Sequence, residues 1–105
     1  MPTNGRTTAF LRLYAALRRR SPEVTGAFWA AVVALVEDHL GDRGFDPTAV
    51  RPSLRLHKLS GENVWSVSFA DQYRAVFHLG ELQRPGHAHI VWEFIGTQAD
   101  YERQY

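Results

Sequence analysis

Apolar residues at Phe10, Leu13, Tyr14 and Leu17 recur at the three- and four-residue spacing of a single helix face. Thr7 or Thr8 stands before them as an N-cap. Arg18, Arg19 and Arg20 close the segment, where cations suit the negative end of a helix. Ser21-Pro22-Glu23 then reads as a restart: serine as cap, proline at the first helical position, glutamate facing the positive end. Val24, Ala27, Phe28, Ala31, Val32, Leu35, Val36 and Leu40 make a second, broader apolar face. Trp29 and Val33 widen it, so this helix is expected to be buried on more than one side. Gly41 stands where a left-handed C-cap is wanted. So few residues separate the two helices that they should form an antiparallel hairpin over about residues 7–41.

Residues 41–53, with two prolines, read as a loop, and after them the period changes to two. Leu54 and Leu56, then the runs NVWSVSFA, YRAVFHL and AHIVWEFIGT, are four strand-like segments. Ser60-Gly61 and Ala70-Asp71-Gln72 supply the first two turns, and a longer loop from Gly80 to Gly86 supplies the last. Helices followed by a run of strands predict the α+β class. The expected architecture is a helical hairpin packed on one face of a four-stranded, mainly antiparallel sheet over about residues 53–97, with a short C-terminal tail. Residues 1–105 should form one domain.

Alternation assigns the strand residues to faces. Leu54, Leu56, Trp65, Val67, Phe69, Tyr73, Ala75, Phe77, Ile90, Trp92 and Phe94 should face the helices. Arg55, His57, Ser66, Ser68, Arg74, Val76, His78, Val91, Glu93 and Ile95 should face away. A solvated polar face is common in antiparallel sheets and is the plain alternative to a site there.

Composition narrows the options. The chain is 45% hydrophobic and 22% charged, as for an ordinary globular domain. It has no cysteine, which excludes disulfides, thiol catalysis and cysteine-ligated metal centres and suits a reducing cytoplasm. The longest nearly uncharged stretch, residues 24–36, is too short for a bilayer core of about 30 Å, and no signal-peptide run opens the chain. A cytoplasmic location without membrane partners is therefore expected. The net charge of +1 is unevenly placed: residues 1–60 carry nine basic and five acidic side chains, and residues 61–105 three and six. That total argues against long-range capture of nucleic acid but leaves room for a local basic site.

Four motifs then occur in order: Pro52-Ser53-Leu54-Arg55-Leu56-His57-Lys58-Leu59-Ser60-Gly61, Trp65-Ser66-Val67-Ser68, Gln72-Tyr73-Arg74, and Ile95-Gly96-Thr97-Gln98-Ala99-Asp100-Tyr101. This order resembles the RelE/ParE superfamily of toxins from bacterial toxin–antitoxin systems, and within it the RelE-like mRNA interferase branch. The resemblance covers roughly residues 52–101. It implies a small α+β toxin neutralised by a cognate antitoxin. RelE-like members cut mRNA on the ribosome without metal or cofactor, whereas ParE-like members act by binding DNA gyrase. Fold alone does not choose between these.

Metal-free RNA cleavage requires deprotonation of a ribose 2′-OH, stabilisation of the phosphorane and protonation of the 5′-oxygen. Under the resemblance His57, Arg74, Gln98 and Tyr101 are the catalytic candidates, and Arg55, Lys58, Ser66 and Ser68 the RNA- or phosphate-binding ones. Imidazole is suited to proton transfer near neutral pH, a guanidinium to gripping a phosphate, and an aromatic ring to stacking on a base. Alternation puts Lys58 on the opposite face from His57 unless the strand bends. Gln98 stands where relatives carry histidine or arginine, and an amide cannot shuttle protons. Ser68 likewise lies where some relatives place a histidine. His87 and His89 share a strand face, but no third ligand is evident, and they read as loop histidines.

Overall fold

The computed structural model describes residues 3–41, 44–45, 48, 50–59, 64–80 and 89–105. Strand β1 (Thr3–Arg6) leads into helices α1 (Thr8–Arg20) and α2 (Pro22–His39). Two short strands follow, β2 (Leu40–Gly41) and β3 (Gly44–Phe45), and then a 3-10 turn over Pro52–Leu54. Strands β4 (His57–Lys58), β5 (Val64–Phe69), β6 (Tyr73–Leu79) and β7 (His89–Thr97) precede a last helix, α3 (Gln98–Gln104).

The helices begin where cap chemistry places them. The Thr7 hydroxyl accepts the Phe10 amide at 3.1 Å. Ser21 ends α1 by donating its amide to the Leu17 carbonyl at 2.8 Å. Phe10 and Leu17 of α1 meet Phe28, Ala31, Val32 and Leu35 of α2 over Val67, Phe69, Ala75, Phe77, Ile90, Trp92 and Ile95 of the sheet. Phe28 is fully buried, with its ring 5.0 Å from Trp92, 5.5 Å from Phe69 and 5.7 Å from Phe10. The faces are narrower than the periodicity suggests. Leu13 is 37% exposed and Val33 54% exposed, so the outer side of α2 is open at Val33.

The main sheet is five-stranded and mixed, in the order β1-β7-β6-β5-β4. The antiparallel run β4 to β7 matches the expected four strands, and β1 adds a parallel edge beside β7 with Thr3 opposite His89. Nothing in Thr3-Asn4-Gly5-Arg6 alternates, so the pairing is dictated by the neighbouring strand and not by local pattern. The expected loop of residues 41–53 contains the β2–β3 pairing, Leu40 opposite Phe45. The Ser60-Gly61 turn and most of the Gly80–Gly86 loop, with His87, lie outside the described residues.

Two further expectations are corrected by geometry. The first strand was placed from Leu54, but Pro52–Leu54 is a 3-10 turn capped by Arg55 in the left-handed region (φ 46°), and pairing begins at His57. On β7 the register slips opposite Val76/Phe77: Phe77 faces Trp92, whereas Val76 faces Phe94, leaving Glu93 as the extra residue. Such a bulge inverts the alternation beyond it. Ile95 therefore joins the core and Phe94 turns to the helix-free face, the reverse of the simple reading. The short C-terminal tail is largely a helix, because seven of its residues form α3.

Candidate functional site: a cleft around Arg74

On the helix-free face, Ser68 of β5 stands opposite Arg74 of β6, and Ser66 stands opposite both Val76 of β6 and His57 of β4. Residues directly opposite on neighbouring strands share a face. Arg74 therefore lies across a row of hydroxyls, and it uses them. One terminal nitrogen donates to Ser68 Oγ at 2.8 Å and the other to Ser66 Oγ at 2.5 Å. The guanidinium carbon also sits 4.9 Å from the centre of the Tyr101 ring, a cation–π contact. Ser66 is completely buried, so it reaches a ligand only through Arg74. The Arg74 Nε is buried with no hydrogen-bond partner, an unsatisfied donor of the kind that costs about 1–3 kcal/mol.

Around this guanidinium opens a cleft of about 430 Å³ lined by Arg55, Leu56, His57, Arg74, Gln98 and Tyr101. Five of the eight sequence candidates line it, and Ser66 and Ser68 form its underside through Arg74. The left-handed turn at Arg55 brings Arg55, Leu56 and His57 to the same cleft. Two arginines and no carboxylate among the lining residues give the cleft a positive lining whose planar donors match the geometry of an oxyanion. A smaller hollow of about 180 Å³, lined by Ser53, Arg55, Ser68, Phe69, Ala70 and Asp71, shares Arg55 with it.

Lys58 goes elsewhere. It pairs with Trp65, whose side chain packs on the core side, and its ammonium lies 5.8 Å from that ring centre. Strand alternation thus separates it from His57, and it does not line the cleft.

Helix α3 supplies the third wall. Thr97 caps it, its hydroxyl accepting the Asp100 amide at 3.1 Å, while the Gln98 amide donates to the Gln72 carbonyl at 2.8 Å and ties the helix start to the β5–β6 turn. The Gln98 side chain donates to Glu102 at 3.2 Å, a bond that uses one of its two N–H groups and leaves its carbonyl oxygen able to accept. The Thr-x-x-Asp spacing of residues 97–100 is a capping signal that could have marked this helix in the sequence. Gly96 fits because the Phe94 ring lies over it, where a β-carbon would come within 3.0 Å of the ring edge.

Sequence reasoning missed a cluster behind Tyr101. Its ring stacks on Tyr105 at 5.4 Å, and Phe94 packs against both, at 6.4 Å from Tyr101 and 5.7 Å from Tyr105. The Tyr105 hydroxyl donates to Glu93 Oε1 at 2.9 Å, and Glu93 Oε2 lies 2.7 Å from His78 Nδ1. Burial, then the hydrogen bond and charge of Glu93, push the Tyr105 phenol well above its ordinary pKa of 10.0. Only the i, i+4 spacing of Tyr101 and Tyr105 hinted at this stack.

Among the described residues no group of three His, Asp or Glu side chains is placed to hold a metal ion, and no helix is long and apolar enough to cross a membrane. No family model matches the chain, and no curated protein sequence matches it. Among solved structures, the crystal structure of YafQ from E. coli strain BL21(DE3) matches 96% of this chain and 98% of its own, with a TM-score of 0.65 at 13% identity. Over nearly its whole length, then, the chain takes the fold seen in YafQ.

Proposed function

We propose that this protein is the toxin of a toxin–antitoxin pair and that it acts as a metal-independent endoribonuclease on mRNA in the ribosome. The observation that carries this reading is the Arg74 guanidinium, held by two serines and an aromatic ring in a cleft that also contains His57, Arg55, Gln98 and Tyr101. The motif order in the sequence and the fold shared with YafQ, a RelE-family type II toxin, support the same family of activities.

In this reading the scissile phosphate sits against Arg74 and Arg55. Arg74 neutralises the charge that grows on the phosphorane, and its fixed position means little reorganisation is needed as that charge develops. His57 exchanges a proton with the 2′-OH or the leaving 5′-oxygen, a role worth about 10²- to 10⁴-fold. The Tyr101 ring already carries two stacking partners, so its phenol is the group it offers a ligand. Gln98 accepts a hydrogen bond through its carbonyl oxygen and orients a ribose hydroxyl without moving a proton. The ribosome holds the mRNA and so supplies proximity that this small cleft does not. The partner that silences the toxin is an antitoxin protein.

The test is cleavage on programmed ribosomes, with 5′ ends mapped for wild type, His57→Ala and Arg74→Ala. Wild type should cut at defined codon positions and both variants should fall at least tenfold. Absence of cutting by the wild type, or full activity in both variants, sinks the reading. One observation favours a second possibility, a toxin that binds without cleaving: Gln98 is tethered to Glu102 in the place where relatives carry an acid–base or charged side chain. For that reading the first target is DNA gyrase, and inhibition of supercoiling by the purified protein is its test.

A further inference from the structure

Helix α3 has seven residues, too few to be stable alone. Its internal side-chain contacts, Gln98 to Glu102 and Arg103 to Asp100, run along its own surface and do not hold it to the sheet. Two polar links do. At its start the Gln98 amide bonds to the Gln72 carbonyl, and beyond its last turn the Tyr105 hydroxyl bonds to Glu93. Tyr101 lies between these two links. Its ring stacks on Tyr105, and the Arg74 guanidinium lies over it.

Glu93 makes a firm anchor for reasons that lie in the sheet. It is the extra residue of the β7 bulge, and its second oxygen is engaged by His78 of β6. A contact series therefore runs from His78 through Glu93, Tyr105 and Tyr101 to Arg74. We propose that Tyr105, anchored by Glu93, is a positioning residue: it fixes the Tyr101 ring and thereby the guanidinium in the cleft. Tyr105 does not line that cleft and acts only through its neighbours. The catalytic consequence rests on the cleft being the site of phosphate chemistry, but the positioning itself does not.

Two readouts keep those claims apart. The first is NMR of protein labelled with ¹⁵N-arginine, in which an ordered Tyr101 ring shifts the Arg74 side-chain signals away from those of a free arginine. Tyr105→Phe removes one hydroxyl and keeps both aromatic rings, so the fold should survive. It should move the Arg74 signals toward free-arginine positions, and Glu93→Ala should do the same. Glu93→Gln keeps an acceptor and should retain the wild-type signals. The double variant Tyr105→Phe/Glu93→Ala should be no worse than either single one, because both remove one bond. The second readout is cleavage on ribosomes. Tyr105→Phe should lower kcat about threefold to tenfold with KM unchanged, the range expected for the net contribution of one ordinary hydrogen bond.

Arg74 signals that stay in place in Tyr105→Phe overturn the positioning role, whatever cleavage does. Signals that move while even the wild type fails to cut RNA uphold the positioning role and sink the endoribonuclease reading instead.

Discussion

Three different contacts fix Arg74, and each removes a different freedom. Ser68 and Ser66 each fix one end of the fork, and Tyr101 fixes its plane. A lysine has the charge but neither the fork nor the flat face. Arg74→Lys should therefore lower ribosome-dependent cleavage about 10- to 100-fold, the cost of losing charge-assisted hydrogen bonds of about 1.5–3 kcal/mol to the phosphate, and should also lower the urea unfolding midpoint, because the buried Ser66 hydroxyl loses its partner. Gln98 makes the opposite kind of prediction. Gln98→His installs a proton carrier beside Arg74 and His57, and it should raise single-turnover cleavage by about tenfold, at the low edge of what acid–base catalysis supplies. An unchanged rate in that variant would mean the cleft never used proton transfer there. At this scale the sequence was informative: Arg55, His57, Arg74, Gln98 and Tyr101, chosen from motif and alternation, line one cleft. It misjudged what the serines do, because burial at Ser66 depends on a neighbouring strand that no local pattern describes. It placed Glu93 on the helix-free face but gave no sign of its bond to Tyr105, because their meeting needs both a bulge and a helix.

Among elements, α3 has the most to lose. Its single side-chain cap is the Thr97 hydroxyl on the Asp100 amide. Thr97→Ala should cost about 1 kcal/mol, and amide exchange should show the loss confined to α3 while α1 and α2 keep their protection. The helix should also be sensitive to alkali in a definite direction. The Tyr105 phenol is raised by burial first and by Glu93 second, with Tyr101 adding to it, while His78 faces the far oxygen of the same carboxylate. Docking favours the protonated phenol, so this stabilisation is complete below the ordinary value of 10.0 and is lost as pH climbs above it. In an ultraviolet titration, one of the four tyrosines should ionise after the others, together with the loss of α3 signals. Tyr105→Phe should abolish that late step. The elements with strong periodicity, α1, α2 and β5 to β7, were legible because their faces repeat. Those that escaped, β1, β2, β3 and α3, are short, and β1 and α3 owe their form to what they touch: β1 to the edge of β7, and α3 to a cap and an aromatic stack.

Across the whole molecule, one aromatic cluster joins both helices to the sheet. Phe28 stands at its middle, touching Phe10, Tyr14, Trp29, Phe69 and Trp92. Phe28→Ala should cost about 3–5 kcal/mol, a large part of the 5–15 kcal/mol typical of a domain. Urea unfolding should show a lower midpoint with an unchanged slope. The cleft lies on the other side of the same sheet, so core and site share a wall without sharing side chains.

That division is made at one place, the extra residue in β7. Up to Trp92 the strand's alternate side chains follow the frame set by the helices, and from Phe94 onward they follow a shifted frame that floors α3. The bulge works like a comma in the strand, letting one continuous backbone be read in two phases. Smoothing the bulge into a regular strand while keeping all nine residues of β7 would leave both halves of the strand individually plausible. It would also put Phe94 among the core side chains and Ile95 under the tyrosines, so a slip of one residue would exchange the inside of the protein for its working face.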